Sequence, residues 1–369
     1  MPGDELAQFE RNGFVLMPNI GRIKFDQPFC QAGLAGYSDR AMRLVARRHG
    51  CPYAVTEALL DTILLNGGEG LRKSIDINDE DHPIAGQIIG SEPETMTAAA
   101  LILYRAGYDV IDLNFACPVK KIKNKARGGH MLRDTPRAIA VLKSVRDALP
   151  PEVPTTICLR RSFDESSESY DTFYEIVESA FSHGYAALRV HARTVEQKYQ
   201  GPARWSFLKE FKQRYPDKTI LGSGDLFTAE DVVRMLRETK IDIAWIARGA
   251  IGNPWIFQHA AALLNPDHKP LTPPTIHEQR DALAEHFSIA MQIHGEQLAA
   301  RRMRKMGIKY SRFHPNAAEV KSSFINVQSL RDWSAVLTNW YASDSPGVWP
   351  APAAADEVND NLQSCEPAI

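Results

Sequence analysis

A closed (βα)8 barrel, or TIM barrel, followed by a small C-terminal helical domain is the α/β fold class this sequence predicts, on three observations. Short apolar runs alternate with amphipathic stretches from Phe29 to Trp255, the pattern of a parallel sheet wrapped by helices. Eight such units follow one another in a single series, which favours a closed barrel over an open sheet. Residues 265–274 are rich in proline and turn formers, and beyond them strand patterns vanish, which marks a change of domain.

The elements follow in order. Residues 1–19 read as an N-terminal extension and 20–25 as a strand closing the barrel bottom. Strands are expected at 29–32, 53–56, 84–89, 110–113, 155–159, 186–190, 220–222 and 243–246, each a short apolar run. Helices are expected at 39–48, 92–105, 136–148, 171–182 and 228–237, where the spacing is amphipathic. The barrel then spans 20–264 and the linker 265–274. Helical spacing continues over 275–342, with Leu283, Phe287, Ala290 and Ile293 among its apolar positions. From 343 the chain is rich in Pro, Ala, Asp and Ser, a composition that predicts disorder.

Apolar residues make up 44% and charged residues 24%, which places the chain in the ordinary globular class. Its formal charge is only −2, so a polyanionic partner must meet a local basic patch and not the field of the whole molecule. The five cysteines show no spacing suited to a metal site, which predicts no metal and a reducing, cytoplasmic setting. No apolar run approaches the ~20 residues of a membrane span.

In such a barrel the active site is assembled from the loops that follow the strands. The most informative of these follows 110–113, where Asn114, Cys117 and Pro118 lead into Lys120, Lys121, Lys123, Lys125 and Arg127. Pro118 cannot continue a ladder, so the thiol sits on a loop in an electropositive setting where its proton can do chemistry. The first strand ends in Ala32, Gly33, Leu34, Ala35 and Gly36, small enough for a flat ligand to approach the backbone. Gln87 is a polar amide inside an apolar strand, and a buried amide needs partners. Arg160 and Arg161 end the fifth strand, and His191 and Arg193 the sixth. The turns Gly222 to Asp225 and Ala247 to Gly249 precede helices, so Ser223, Gly224, Asp225, Ala247 and Arg248 suit the phosphate site that barrels place after strands seven and eight.

These residues, in order and at these spacings from about Ile20 to Tyr310, resemble the tRNA-dihydrouridine synthases, FMN-dependent barrel enzymes that reduce a uridine in tRNA. The most specific element is the loop of Asn114, Cys117 and Pro118 with its trailing lysines. The resemblance implies that Gly33, Leu34 and Ala35 line the flavin, that Gln87 and Asn114 bond ring or base edges, and that His191 lies beside the isoalloxazine. It implies that Ser223, Gly224, Asp225, Ala247 and Arg248 hold the phosphate. FMN reduced by NADPH would deliver hydride to uracil C6, and Cys117 would protonate C5. A thiol near its unperturbed pKa of ~8.5 is mostly protonated and available as an acid.

A base inside folded RNA must be flipped out to reach such a pocket. Lys120, Lys121, Arg193, Arg301, Arg304, Lys305 and Lys309 are the expected RNA contacts, and helical spacing sets Arg301, Lys305, Lys309 and Arg312 near one face. The chain departs from the family pattern at Cys158, two residues before Arg160, where the family carries a lysine against the flavin. Gly33, Ser223, Ala247 and Met306 are further departures. Two other readings suit the same residues: a flavin-dependent oxidoreductase acting on a small molecule, and a flavin-free RNA-binding descendant.

Overall fold

The structure, a computed structural model, describes residues 17–68, 71, 75–118, 126–265, 267, 269 and 271–350. Lys120, Lys121, Lys123 and Lys125 lie outside the described residues, as do most of the N-terminal extension and the tail beyond 350.

The described residues begin with a hairpin of two antiparallel strands, β1 (Asn19–Ile20) and β2 (Ile23–Lys24), where a single strand was expected. Gly21, at φ +58°, makes the turn and lies against Pro154 and Ala186, which precede two of the barrel strands. Ile20 and Phe25 therefore plug the end of the barrel where its strands begin.

The barrel strands are β3 (Phe29–Gln31), β4 (Ala54–Val55), β6 (Ile84–Ile89), β7 (Val110–Phe115), β8 (Thr155–Arg160), β9 (Ala187–His191), β10 (Thr219–Ser223) and β11 (Ile243–Ile246). All pair in parallel, and contacts of β4 with both β3 and β6 close the ring. A two-residue strand, β5 (Leu59–Leu60), continues the position of β4 along β6. The helices between them are α1 (Arg40–Arg48), α2 (Asp61–Asn66), α3 (Pro93–Arg105), α4 (Thr135–Ala148), α5 (Ser167–Ser182), α6 (Trp205–Arg214), α7 (Ala229–Thr239) and α8 (Trp255–Leu264). Four of the eight begin on a side-chain cap that satisfies their first donors. Asp39 caps α1, Asp134 caps α4, and Thr228 with Asp231 forms a capping box on α7.

Alternation along each strand sorts side chains into two sets. Ile111, Leu113, Ile157, Leu159, Leu188 and Val190 face the helices, while Val110, Cys158, Ala187, Leu221 and Trp245 face the barrel axis. The same parity points Asp112, Asn114, Thr156, Arg160, Arg189, His191 and Ser223 inward. A barrel interior is normally filled by bulky branched residues; here a polar layer replaces part of that filling.

The C-terminal part is a set of helices, α9 (Ile276–His294), α10 (Glu296–Tyr310), α11 (Ala317–Ile325) and α12 (Leu330–Trp340). It packs on the barrel through α1 and α8, with Trp255 edge-on to Tyr310 and Phe313. His294 Nε2 also meets the Asp39 carboxylate at 2.7 Å. Residues 343–350, expected in a disordered tail, correct that expectation. Ser345 accepts from Ile276 N, Val348 donates to Phe313, and Trp349 stacks on His259 at 4.4 Å. No helix among the described residues is long and apolar enough to cross a membrane.

Candidate active site

Cys117 follows the end of β7 and is partly exposed. Its loop is held from three sides. Asn114 Oδ1 accepts from the backbone N–H of Ala116 and of Cys117, each at 3.0 Å. The Cys117 carbonyl accepts from Gly129 N at 2.9 Å, an approach that works because a Cβ on Gly129 would fall 2.8 Å from Val195. Arg160 Nε donates to the Ala116 carbonyl at 2.9 Å.

Arg160 also donates to the carbonyls of Thr194 at 2.9 Å and Lys198 at 2.5 Å. No acidic side chain pairs with it among the described residues, so its charge is uncompensated in a buried setting, and burial pulls its pKa below the ordinary value. Arg161, by contrast, points outward onto Glu165 and Tyr170.

His191 ends β9 in register with Arg160 on one side and Ser223 on the other. Its Nδ1 accepts from Arg193 N at 3.2 Å. Burial, then the cations Arg160, Arg193 and Arg248, hold its pKa well below the usual range. The ring is therefore neutral, and with Nδ1 accepting, Nε2 carries the proton and is the donor.

Asp225, at φ +57°, accepts from Arg193 at 2.8 Å, from Arg248 at 3.0 Å and from Ala203 N at 2.7 Å. Its carboxylate is thus an organiser of the two arginines. Arg193, expected to meet RNA, is buried between Asp225 and the Gly201 carbonyl. This corrects that expectation: a guanidinium with so many partners inside the protein is not on the surface. Arg312 is corrected likewise, since it turns back to the Ile251 carbonyl at 3.0 Å.

Gln87 and Asn114 do come together. Gln87 Nε2 donates to Asp112 at 2.7 Å, and Asn114 Nδ2 donates to Gln87 Oε1 at 2.7 Å. Cys158 lies beside Asn114 in register, fully buried, with burial raising its thiol pKa far above the ordinary value. Gly33, Leu34 and Ala35 form the turn after β3, where a Cβ on Gly33 would collide with the Thr56 carbonyl. Ala247 leads into the 3-10 turn Arg248–Ala250, and Gly249 lies so close to the Leu226 carbonyl that a Cβ there would be 2.4 Å from it.

A flavin mononucleotide fits this set by chemistry. Ser223 Oγ and Arg193 Nη1 are buried without a hydrogen-bond partner, at adjoining strand ends. Arg193 and Arg248 share the one carboxylate of Asp225 while Arg160 donates to backbone carbonyls, which leaves the strand ends net positive and suited to a phosphate. Arg160 provides a cation where Cys158 provides none.

Beside the turn after β3, α10 presents Arg301, Arg304 and Lys305, all exposed. With Gly36, Leu298, Arg302, Val327 and Gln328 they line a cavity of ≈ 540 Å³. Lys305 lies over the Tyr37 ring at 5.7 Å. Lys309 is half-buried where α10 crosses Gly252. Arg302 is drawn toward Asp39 at 3.3 Å.

Asp112, Thr156 and Arg189 were not singled out from the sequence. For Asp112 and Arg189 the signal was present: each is a charged residue in an apolar strand, two positions before Asn114 and His191 respectively.

A model described as dihydrouridine synthase matches residues 30–341. The chain belongs to the dihydrouridine synthase family. It is 30% identical over 332 residues to tRNA-dihydrouridine synthase B of Xanthomonas axonopodis pv. citri, covering 90% of this chain and 98% of that protein. It is 30% identical over 324 residues to the protein of the same name from Pseudomonas aeruginosa, covering 88% and 95%. Among solved structures, 2-naphthoyl-CoA reductase shares the barrel fold at TM-score 0.54 and 13% identity, over 68% of this chain and 52% of that one. Histamine dehydrogenase from Rhizobium sp. 4-9 does so at 0.52 and 15%, over 74% and 51%. In this dihydrouridine synthase family member the expected cysteine, histidine and glycine turns lie at the C-terminal ends of the barrel strands, where such sites are built.

Proposed function

We propose that this chain is a tRNA-dihydrouridine synthase that uses FMN and NADPH to saturate the C5–C6 bond of a uridine. The observation that carries the reading is the position of Cys117. Its loop is tied to Arg160, which lies in register with His191, at the end of the barrel where the turn carrying Gly36 borders the basic cavity of α10. An acid, a cationic cofactor cradle and a surface for a polyanion thus share one end of the molecule.

FMN held by the turn of Gly33, Leu34 and Ala35 would supply the hydride that the uracil ring takes up. Cys117 supplies the proton to C5, with its loop fixed by Asn114 so that the thiol is aimed. His191 would donate from Nε2 to an acceptor on that cofactor, and Ser223, Arg193 and Arg248 would hold its phosphate. Arg301, Arg304 and Lys305 take the RNA backbone while the target base, unstacked, enters the barrel mouth.

The test is the dihydrouridine content of tRNA from the source organism with and without this gene, measured by mass spectrometry, together with conversion by purified protein. Loss of dihydrouridine at one position, restored by the protein, is expected. Unchanged tRNA and no conversion would overturn the reading.

A further inference from the structure

Inside the barrel, a layer below Cys117, sits a buried ion pair that the chemistry at the mouth does not use directly. Arg189 on β9 pairs with Asp112 on β7, both about fully buried, and the guanidinium lies 4.1 Å from the centre of the Trp245 ring. Arg189 Nε and Nη1 have no hydrogen-bond partner. A charge pair placed there is expensive, and an apolar pair of the same volume would often be as stable or more so.

The hydrogen bonds leading away from the pair give it a use. An ionised carboxylate only accepts. Asp112 Oδ1 accepts from Thr156 Oγ1 at 2.5 Å, and Oδ2 accepts from Gln87 Nε2 at 2.7 Å. Gln87 must therefore turn its oxygen away, toward Asn114, which donates from Nδ2 at 2.7 Å. Asn114 must in turn direct its oxygen at the backbone N–H groups of Ala116 and Cys117. Each amide has two orientations related by a half-turn. The carboxylate at the start selects one of them for both.

We propose that the Arg189–Asp112 ion pair is a positioning device, which sets through Gln87 and Asn114 the amide orientation that holds the Cys117 loop. Reversal of either amide would bring Asn114 Nδ2 against two N–H donors and release the loop. Arg189 compensates the carboxylate that begins the chain, so it acts on the thiol through three intervening side chains. This rests on reading Cys117 as the acid, and it adds the group that orients it.

The experiment compares wild type, Asp112→Asn and the neutral pair Asp112→Asn/Arg189→Met. An asparagine at 112 both donates and accepts, so it no longer selects one orientation. The neutral pair removes the unpaired charge that the single variant leaves, and its melting temperature should lie near that of wild type. The readouts are the pH profile of Cys117 alkylation by iodoacetamide in the protein alone, and kcat and KM on tRNA. The neutral pair should alkylate at Cys117 at least about threefold differently and lose about tenfold in kcat, as a misdirected general acid would, with KM little changed. A neutral pair that alkylates and turns over like wild type would overturn the proposal. Should neither variant fold, side-chain amide exchange in wild type decides. Slow exchange of one proton each on Gln87 and Asn114 is expected, and exchange at the rate of free amides would overturn it. If tRNA is not a substrate at all, the alkylation profile still reads the positioning claim by itself.

Discussion

Arg160 donates from Nε to the Ala116 carbonyl at 2.9 Å, so the uncompensated guanidinium of β8 is tied to the loop that carries Cys117. One residue thereby serves two purposes: it fixes the loop and it places a cation among the strand ends. Arg160→Met should lose both. FMN affinity is expected to fall about tenfold or more, the loss of one charge-assisted contact, and Arg160→Lys should recover part of it. Titration of the flavin-free protein with FMN, followed by fluorescence quenching, reads both. Equal affinity in all three proteins would return Arg160 to loop anchoring alone.

Cys117 separates the two halves of the reaction. Cys117→Ala should leave flavin reduction by NADPH nearly intact while dihydrouridine formation falls by the ~10²–10⁴ of a lost general acid. Stopped-flow reduction and single-turnover assays on tRNA distinguish these steps. Wild-type turnover in the variant would make the thiol structural.

On α10, Arg301, Arg304 and Lys305 are exposed and Arg302 pairs with Asp39, while Arg312, just beyond it, turns back to the Ile251 carbonyl. Charge reversal at Arg304 and Lys305 should weaken tRNA binding and flatten its dependence on log salt concentration, because fewer counterions are released. The same reversal at Arg312 should instead destabilise the fold. Filter binding across a salt series, with thermal melts, checks both statements.

His286, on α9, is buried against the Tyr310 ring. Burial lowers its pKa to about 4, against the opposing pull of Asp39 and Glu285. An imidazole whose folded pKa lies below its unfolded value of ~6.5 is protonated more readily when unfolded. Its contribution is complete above pH ~6.5 and is lost as pH falls through the window toward 4. Between pH 7 and 5 this one group should remove about 2 kcal/mol of stability. Urea denaturation at the two pH values measures the loss, and His286→Gln should flatten it by that amount. Equal pH dependence in wild type and variant would assign the acid sensitivity to other groups.

The barrel was legible because its strands are apolar and evenly spaced. Their ends were less so. Asn114 was expected on the loop after its strand, yet it continues the ladder, because a polar residue on the inward parity serves a site and does not end a ladder. The pair β5 and α2 was missed because a two-residue strand and a six-residue helix carry too little periodicity to register. Burial of Arg193 and Arg312 was not legible at all. A positive charge in a sequence says nothing of the carboxylate or carbonyl that the fold brings to it. The tail misled for the opposite reason: Gly347 and Trp349 pack on the linker and α8 within a composition that otherwise predicts disorder.

Cys158 is the departure whose meaning the structure changes most. From the family pattern alone, a lysine at 158 should strengthen flavin binding by adding a cation to the barrel mouth. The register argues otherwise, because Cys158 stands directly beside Arg189, and both point to the barrel axis in a fully buried layer. A second cation there would face a guanidinium with Asp112 as the carboxylate paired with it. Cys158→Lys alone should therefore lower stability by roughly 3–5 kcal/mol, the scale of an uncompensated buried charge, and FMN affinity should not rise. Cys158→Lys/Arg189→Met returns one cation to the layer and should recover most of that loss. Melting temperatures and FMN titrations of the two variants make the comparison. If the single variant proves as stable as wild type and binds FMN more tightly, then Cys158 and Arg189 do not share one space for charge.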